Sequence, residues 1–131
     1  MVSIFNKLIS KGVSITIYGD GYEVRGFVYV SDVANALILT MYYLNNSVNP
    51  VAEIFNVATG KGTTVKNLAA SLEGIYGAQV EHVFMKERLG NVRKPIGDTD
   101  KICELCGYKS VVTLQQGLKF LKTHFRKQKN E

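Results

Sequence analysis

The sequence predicts an α/β (α+β) fold, a single domain with a small mixed sheet and packed helices. Three observations predict it. Short segments with period-two alternation interleave with longer segments whose apolar residues recur at helical spacing. A length of 131 residues is one ordinary domain, and a hydrophobic fraction of 46% is enough to build its core. Glycine and asparagine punctuate the chain at the joints between those segments, and no internal repeat or low-complexity tract interrupts the order.

Taken in order, residues 2–11 place Val2, Phe5, Leu8 and Ile9 on one helical face, and Gly12 ends the helix. The stretch 14–19 (SITIYG) alternates around Ile15 and Ile17 and reads as a strand, closed by the turn GDGY. A second strand follows at 23–30 (EVRGFVYV), rich in β-branched and aromatic residues. Ser31 and Asp32 are the N-cap candidates for residues 33–44 (VANALILTMYYL), an apolar run that predicts a long buried helix ending near Asn45 and Asn46.

Beyond a loop at 46–51, residues 53–58 (EIFNVA) read as a strand and TGKG as the loop that closes it. Thr63 or Thr64 then caps a helix with apolar residues at 65, 68, 69, 72, 75 and 76. Residues 79–84 (QVEHVF) alternate as a strand, and the charged stretch 86–98 is a long loop. Asp98 or Asp100 caps a short helix through Leu105. Gly107 and Tyr108 turn the chain into a final amphipathic helix at 111–125 with Thr113 as its cap, and residues 126–131 read as a basic, disordered tail.

Composition narrows the function. With 46% hydrophobic residues, two prolines and two cysteines, the chain is neither disordered, collagen-like nor a disulfide scaffold. No apolar run reaches the ~20 residues a bilayer crossing needs, and residues 1–11 carry no cleavage site of a secretory signal. The expectation is a protein of the reducing cytoplasm with no membrane partner. The formal net charge is +5, with Lys119, Lys122, Arg126 and Lys129 at helical spacing near the end. Cations at the C-terminal pole of a helix favour the dipole, so a solvated face accounts for them; nucleic acid is not the expected partner.

Cys103 and Cys106 form a CxxC, but a structural zinc needs four ligands and only His82 and His124 remain to complete it. The pair sits near a helix end and its i, i+3 spacing suits packing. Gly60 and Gly62 open a G-x-G before a helix, yet Val65 occupies the third glycine position and the lysine is misplaced for a Walker A loop; a tight strand-to-helix turn suffices. No tyrosine is followed four residues later by lysine, and no histidine lies in a nucleophile pattern. Arg25 and Arg88 are better candidates. Each adjoins a glycine-bearing turn or loop, and paired guanidinium groups give bidentate contacts to a diphosphate.

The stretches ITIYGDGYEVRGFVYVSDVANAL, EIFNVATGKGTTVKNLA and KERLGNVRKPIGDTDKICELCGYKSVVTLQQGL, in that order, resemble the C-terminal substrate-binding part of the extended short-chain dehydrogenases, the NAD-dependent nucleotide-sugar epimerases and dehydratases. The resemblance runs from about Ile4 to Phe125. It implies that Arg25 and Arg88 hold the pyrophosphate of a UDP- or dTDP-sugar, that Phe27 walls the nucleotide pocket, and that Asn91 stands where the family has an acid bonding the ribose. Asp32, by the same resemblance, caps its helix and does not touch ligand. Gly26 replaces the family's aspartate, and Pro95 and Gly97 also depart from its pattern.

The family's Rossmann domain, with its NAD-binding glycine turn and its catalytic tyrosine and lysine, is not in this sequence. The chain therefore reads as a fragment of a larger two-domain enzyme, inactive by itself, with no cofactor of its own and NAD in the missing domain. Its expected partners are the nucleotide sugar and that domain, with a homodimer as one assembly the family allows. The alternative is a small basic adaptor that binds nucleic acid or a protein.

Overall fold

The computed structural model describes residues 1–49, 52–87 and 96–127. Five helices and four short strands follow one another: α1 (Val2–Ile9), β1 (Ile15–Tyr18), β2 (Val24–Gly26), α2 (Val30–Asn45), β3 (Gly62–Thr64), α3 (Val65–Tyr76), β4 (His82–Met85), α4 (Asp100–Cys106) and α5 (Leu114–Lys127). The strands pair as two ladders. β1 and β4 run parallel with Ile15 opposite His82 and Tyr18 opposite Met85. β2 and β3 run antiparallel with Val24 opposite Thr64 and Gly26 opposite Gly62. Mixed α/β packing is thus observed, with the parallel and antiparallel pairs kept separate.

The larger core is where α1, β1 and α3 meet. Phe5 and Ile9, Ile15 and Ile17, and Val65, Leu68, Ala69 and Leu72 are buried together with Leu118 of α5. These are the positions that period two assigns to β1 and period 3.6 to the helices. Side-chain caps fix the starts of α3 and α5. Thr64 Oγ1 accepts the Asn67 amide at 3.1 Å. At α5, Thr113 Oγ1 accepts the Gln116 amide while Gln116 Oε1 accepts the Thr113 amide at 2.9 Å, a reciprocal capping box. The helix of α5 runs on to Lys127, into the segment expected as tail.

A second, smaller core gathers Ala36, Ile102 and Tyr108, with Phe55, Val57 and Cys106 against it. Burial raises the Cys106 thiol pKa, which keeps that thiol protonated. Tyr108 donates its hydroxyl to the Ala58 carbonyl at 3.1 Å; burial, and then the negative charge of Asp32, raise its pKa.

Two expectations for α2 are corrected. Neither Ser31 nor Asp32 caps it: the helix starts at Val30 with Tyr29 as N-cap, which leaves Asp32 inside the first turn. There its carboxylate, 2% exposed, accepts Ser110 Oγ at 2.8 Å and the Val111 and Val112 amides at 3.1 Å each. Nor is α2 buried throughout. Among the described residues it buries Asp32 and Ala36, while Leu37, Ile38, Met41, Tyr42 and Leu44 are each about half exposed or more. Hydrophobicity on every side of a helix predicts burial only where something covers every side.

Residues 53–58 carry the alternation of a strand, with Phe55 and Val57 against the small core and Ile54 87% exposed, but they pair with no other strand among the described residues. No helix among the described residues is long and apolar enough to cross a membrane.

Replacing Asp32 by Ala leaves two amides without their acceptor and is expected to cost about 3 kcal/mol in urea unfolding, against about 1 kcal/mol for Ser110→Ala. The double change Leu37→Lys, Met41→Lys should leave that stability within about 0.5 kcal/mol and reduce binding of a hydrophobic dye.

Candidate functional site

Arg25 occupies the middle of β2, opposite Thr63. The ladder needs Gly62, because a Cβ there would run into the Val24 side chain and come within 2.9 Å of Ile96. Before β2 the chain reverses through Gly19 (φ 78°) and Gly21 (φ 76°), where side chains are strained, and Asp20 Oδ1 accepts the Tyr22 amide at 2.9 Å. This turn is held from outside. Lys66 Nζ lies 4.1 Å from the centre of the Tyr22 ring and 5.3 Å from that of Phe84, and a Cβ on Gly21 would come within 2.8 Å of the Lys66 stem.

The Arg25 side chain is 23% exposed and points into a cleft of about 380 Å³ between α1, β1 and β2. Ile4, Phe5 and Leu8 form its apolar wall, Thr16, Ile17 and Tyr18 its edge strand, and Glu23 stands beside the arginine. Nη2 of Arg25 donates to Glu23 Oε2 at 3.0 Å and Nη1 reaches the Val24 carbonyl at 3.4 Å. A cleft that is mostly apolar with one guanidinium–carboxylate pair suits a ligand with a flat apolar part and an anionic part.

Phe27, two residues on, packs against the larger core and lines another hollow, of about 260 Å³, with Thr59, Lys61 and Val112. Arg25 and Phe27 therefore line different hollows. Arg88 and Asn91 lie outside the described residues.

The glycine loop at 60–62 offers no phosphate cradle to the helix after it. Of the first amides of α3, Val65 donates to the Glu23 carbonyl, Lys66 to the Gly21 carbonyl and Asn67 to Thr64, so the groups that would face an anion are engaged. Among the described residues no three His, Cys, Asp or Glu side chains gather as metal ligands. His82 pairs with Glu73 at 3.1 Å, and Glu73 also accepts the Val80 amide.

Three features escaped the sequence reading. Glu23 carries no motif, although its i−2 spacing from Arg25 in an extended segment was a signal for a shared face. The spacing of α1 shows a helix face but not the cleft it walls, and the Lys66 clamp arises from a contact over 44 residues of chain.

The model of the NAD dependent epimerase/dehydratase family matches residues 1–58. UDP-glucose 4-epimerase of Mycolicibacterium smegmatis is 30% identical over 96% of this chain and 39% of its own. Among solved structures, UDP-glucose 4-epimerase of Thermotoga maritima with UDP-glucose superposes with a TM-score of 0.86 at 40% identity, covering 97% of this chain and 39% of that one. The Thermus thermophilus UDP-glucose 4-epimerase complex with NAD gives 0.79 at 30% identity, over 95% and 39%. The chain thus spans about two fifths of the length of the relatives it matches. Sequence, fold and family model agree, and the chain belongs to the NAD-dependent epimerase/dehydratase family.

Proposed function

We propose that this chain is the nucleotide-sugar-binding portion of an NAD-dependent epimerase or dehydratase acting on UDP- or dTDP-hexoses, of the 4-epimerase or 4,6-dehydratase type. The observation that carries the reading is Arg25 in a cleft whose other walls are mainly apolar. In this reading the base lies against Ile4, Leu8 and Tyr18 and the diphosphate meets the Arg25 guanidinium. Arg88, from the segment after β4, closes on the same diphosphate, and Asn91 serves the ribose. Two always-charged forks neutralise the bridging anion, and each charge-assisted bond is worth about 1.5–3 kcal/mol net. Phe27, which lines a different hollow, takes no part in holding the base in this reading.

The residues present do not fit the dinucleotide. The amides that begin α3 are already bonded, and neither a glycine-rich dinucleotide turn nor a Tyr-x-x-x-Lys is in the sequence. NAD, which accepts and returns a hydride in this family's chemistry, belongs in this reading to a separate dinucleotide-binding portion. The exposed face of α2 and the segment 53–58, unpaired among the described residues, support that arrangement. Leu37, Met41 and Tyr42 on α2, and Ile54, are exposed apolar side chains of the kind polypeptide covers.

The basic-adaptor alternative draws less support, since Lys122 is bonded to the Ile75 carbonyl at 2.6 Å with its ammonium over the Tyr76 ring.

Titration of the isotope-labelled chain with UDP should give saturable shifts on α1, β1 and β2. Arg25→Ala and Arg88→Ala should each weaken binding by about tenfold or more. Binding that neither change affects removes the assignment.

A further inference from the structure

We propose that Glu23 is a positioning residue: its carboxylate fixes the Arg25 guanidinium in the orientation that receives an anion in the cleft. The proposal rests on the reading of that cleft as a nucleotide-diphosphate site. Glu23 and Arg25 are two residues apart in extended chain, which puts both side chains on one face, and both line the same cleft. Glu23 is only 8% exposed against 23% for the Arg25 side chain, so the carboxylate is the deeper member of the pair.

The backbone of Glu23 is itself pinned, its carbonyl accepting the Val65 amide at 3.1 Å where α3 begins. The support under Arg25 is therefore tied to the larger core, not to a loop. The guanidinium is a rigid planar fork, so directing Nη2 at Glu23 Oε2 and Nη1 at the Val24 carbonyl sets its plane. A side chain ordered before the ligand arrives loses less freedom on binding.

The same carboxylate offsets part of the arginine's charge. What Glu23 contributes is thus orientation and not attraction. A carboxylate serving only as a counter-ion would have the opposite effect: removing it would tighten anion binding.

The two roles separate in UDP titrations of the full chain combined with the Arg25 Nε–Hε resonance of the ligand-free protein. Glu23→Ala should weaken UDP binding by about tenfold, and Glu23→Asp, which keeps the charge but withdraws it by one methylene, by a similar factor. Glu23→Gln, which keeps an acceptor oxygen at full reach, should stay within about twofold of the parent. In the Arg25→Ala background, Glu23→Ala should add nothing. The Nε–Hε signal should be sharp in the parent and in Glu23→Gln, and broadened or lost in the Ala and Asp variants.

UDP binding unchanged or tightened in Glu23→Ala overturns the proposal, as does an Nε–Hε signal that stays sharp there. A parent chain that binds no UDP instead overturns the nucleotide reading of the cleft, and the resonance alone then decides whether Glu23 holds Arg25.

Discussion

The Asp32 carboxylate is the constraint on which the smaller half of the molecule depends. It sits in the first turn of α2, where the helix dipole favours negative charge, and it accepts three hydrogen bonds from residues 110–112. Those donors are about 80 residues away along the chain. They lie between the end of α4 and the start of α5, so one buried group fixes the helix N-terminus, the exit from α4 and the approach to α5 together. Its charge also lies close enough to Tyr108 to raise the pKa of that phenol, which in turn holds the Ala58 carbonyl. A buried carboxylate is tolerated here because its hydrogen bonds replace those of water.

The candidate site is built on the other half. The β2–β3 ladder sets Arg25, the bare backbone of Gly62 lets the two strands approach, and the turn through Gly19 and Gly21 carries the chain from β1 to β2. The first amides of α3 bond back to Gly21 and Glu23, so the start of α3 acts as a brace for the cleft and not as a binding group. Relatives with bound UDP-glucose or NAD share this fold over nearly all of the chain, while the chain spans only about two fifths of theirs. The exposed side of α2 and the extended segment 53–58 follow the same division: α2 buries Ala36 and leaves Leu37, Met41 and Tyr42 exposed, and 53–58 packs Phe55 and Val57 while leaving Ile54 exposed.

Much of this was legible in the sequence. The period of the apolar residues predicts α1, β1, α3 and α5, because burial on one face imposes that period wherever the core lies. The cap at Thr113, and that of α3 to within the pair Thr63 and Thr64, were readable because a cap acts on amides two or three residues away. The ordered motifs around Arg25, the glycine loop and the final helix placed the chain in its family. The strand expected over 23–30 shrank to three ladder residues, Val24–Gly26, since ladder length is set by the partner, and β3 is equally short.

What the residues alone determined, then, is whatever is decided within a few positions of chain: helix faces, caps, glycine turns and the identity of the charged candidates. The tertiary structure decided the pairings. Only the fold shows that Asp32 serves the chain near residue 111 and not its own helix, that Glu23 is the partner of Arg25, and that the apolar helix α2 keeps one side open. The reason is range. Dihedral preference and capping act over one helical turn, whereas a buried hydrogen bond or an uncovered apolar face depends on which distant segment the chain brings alongside.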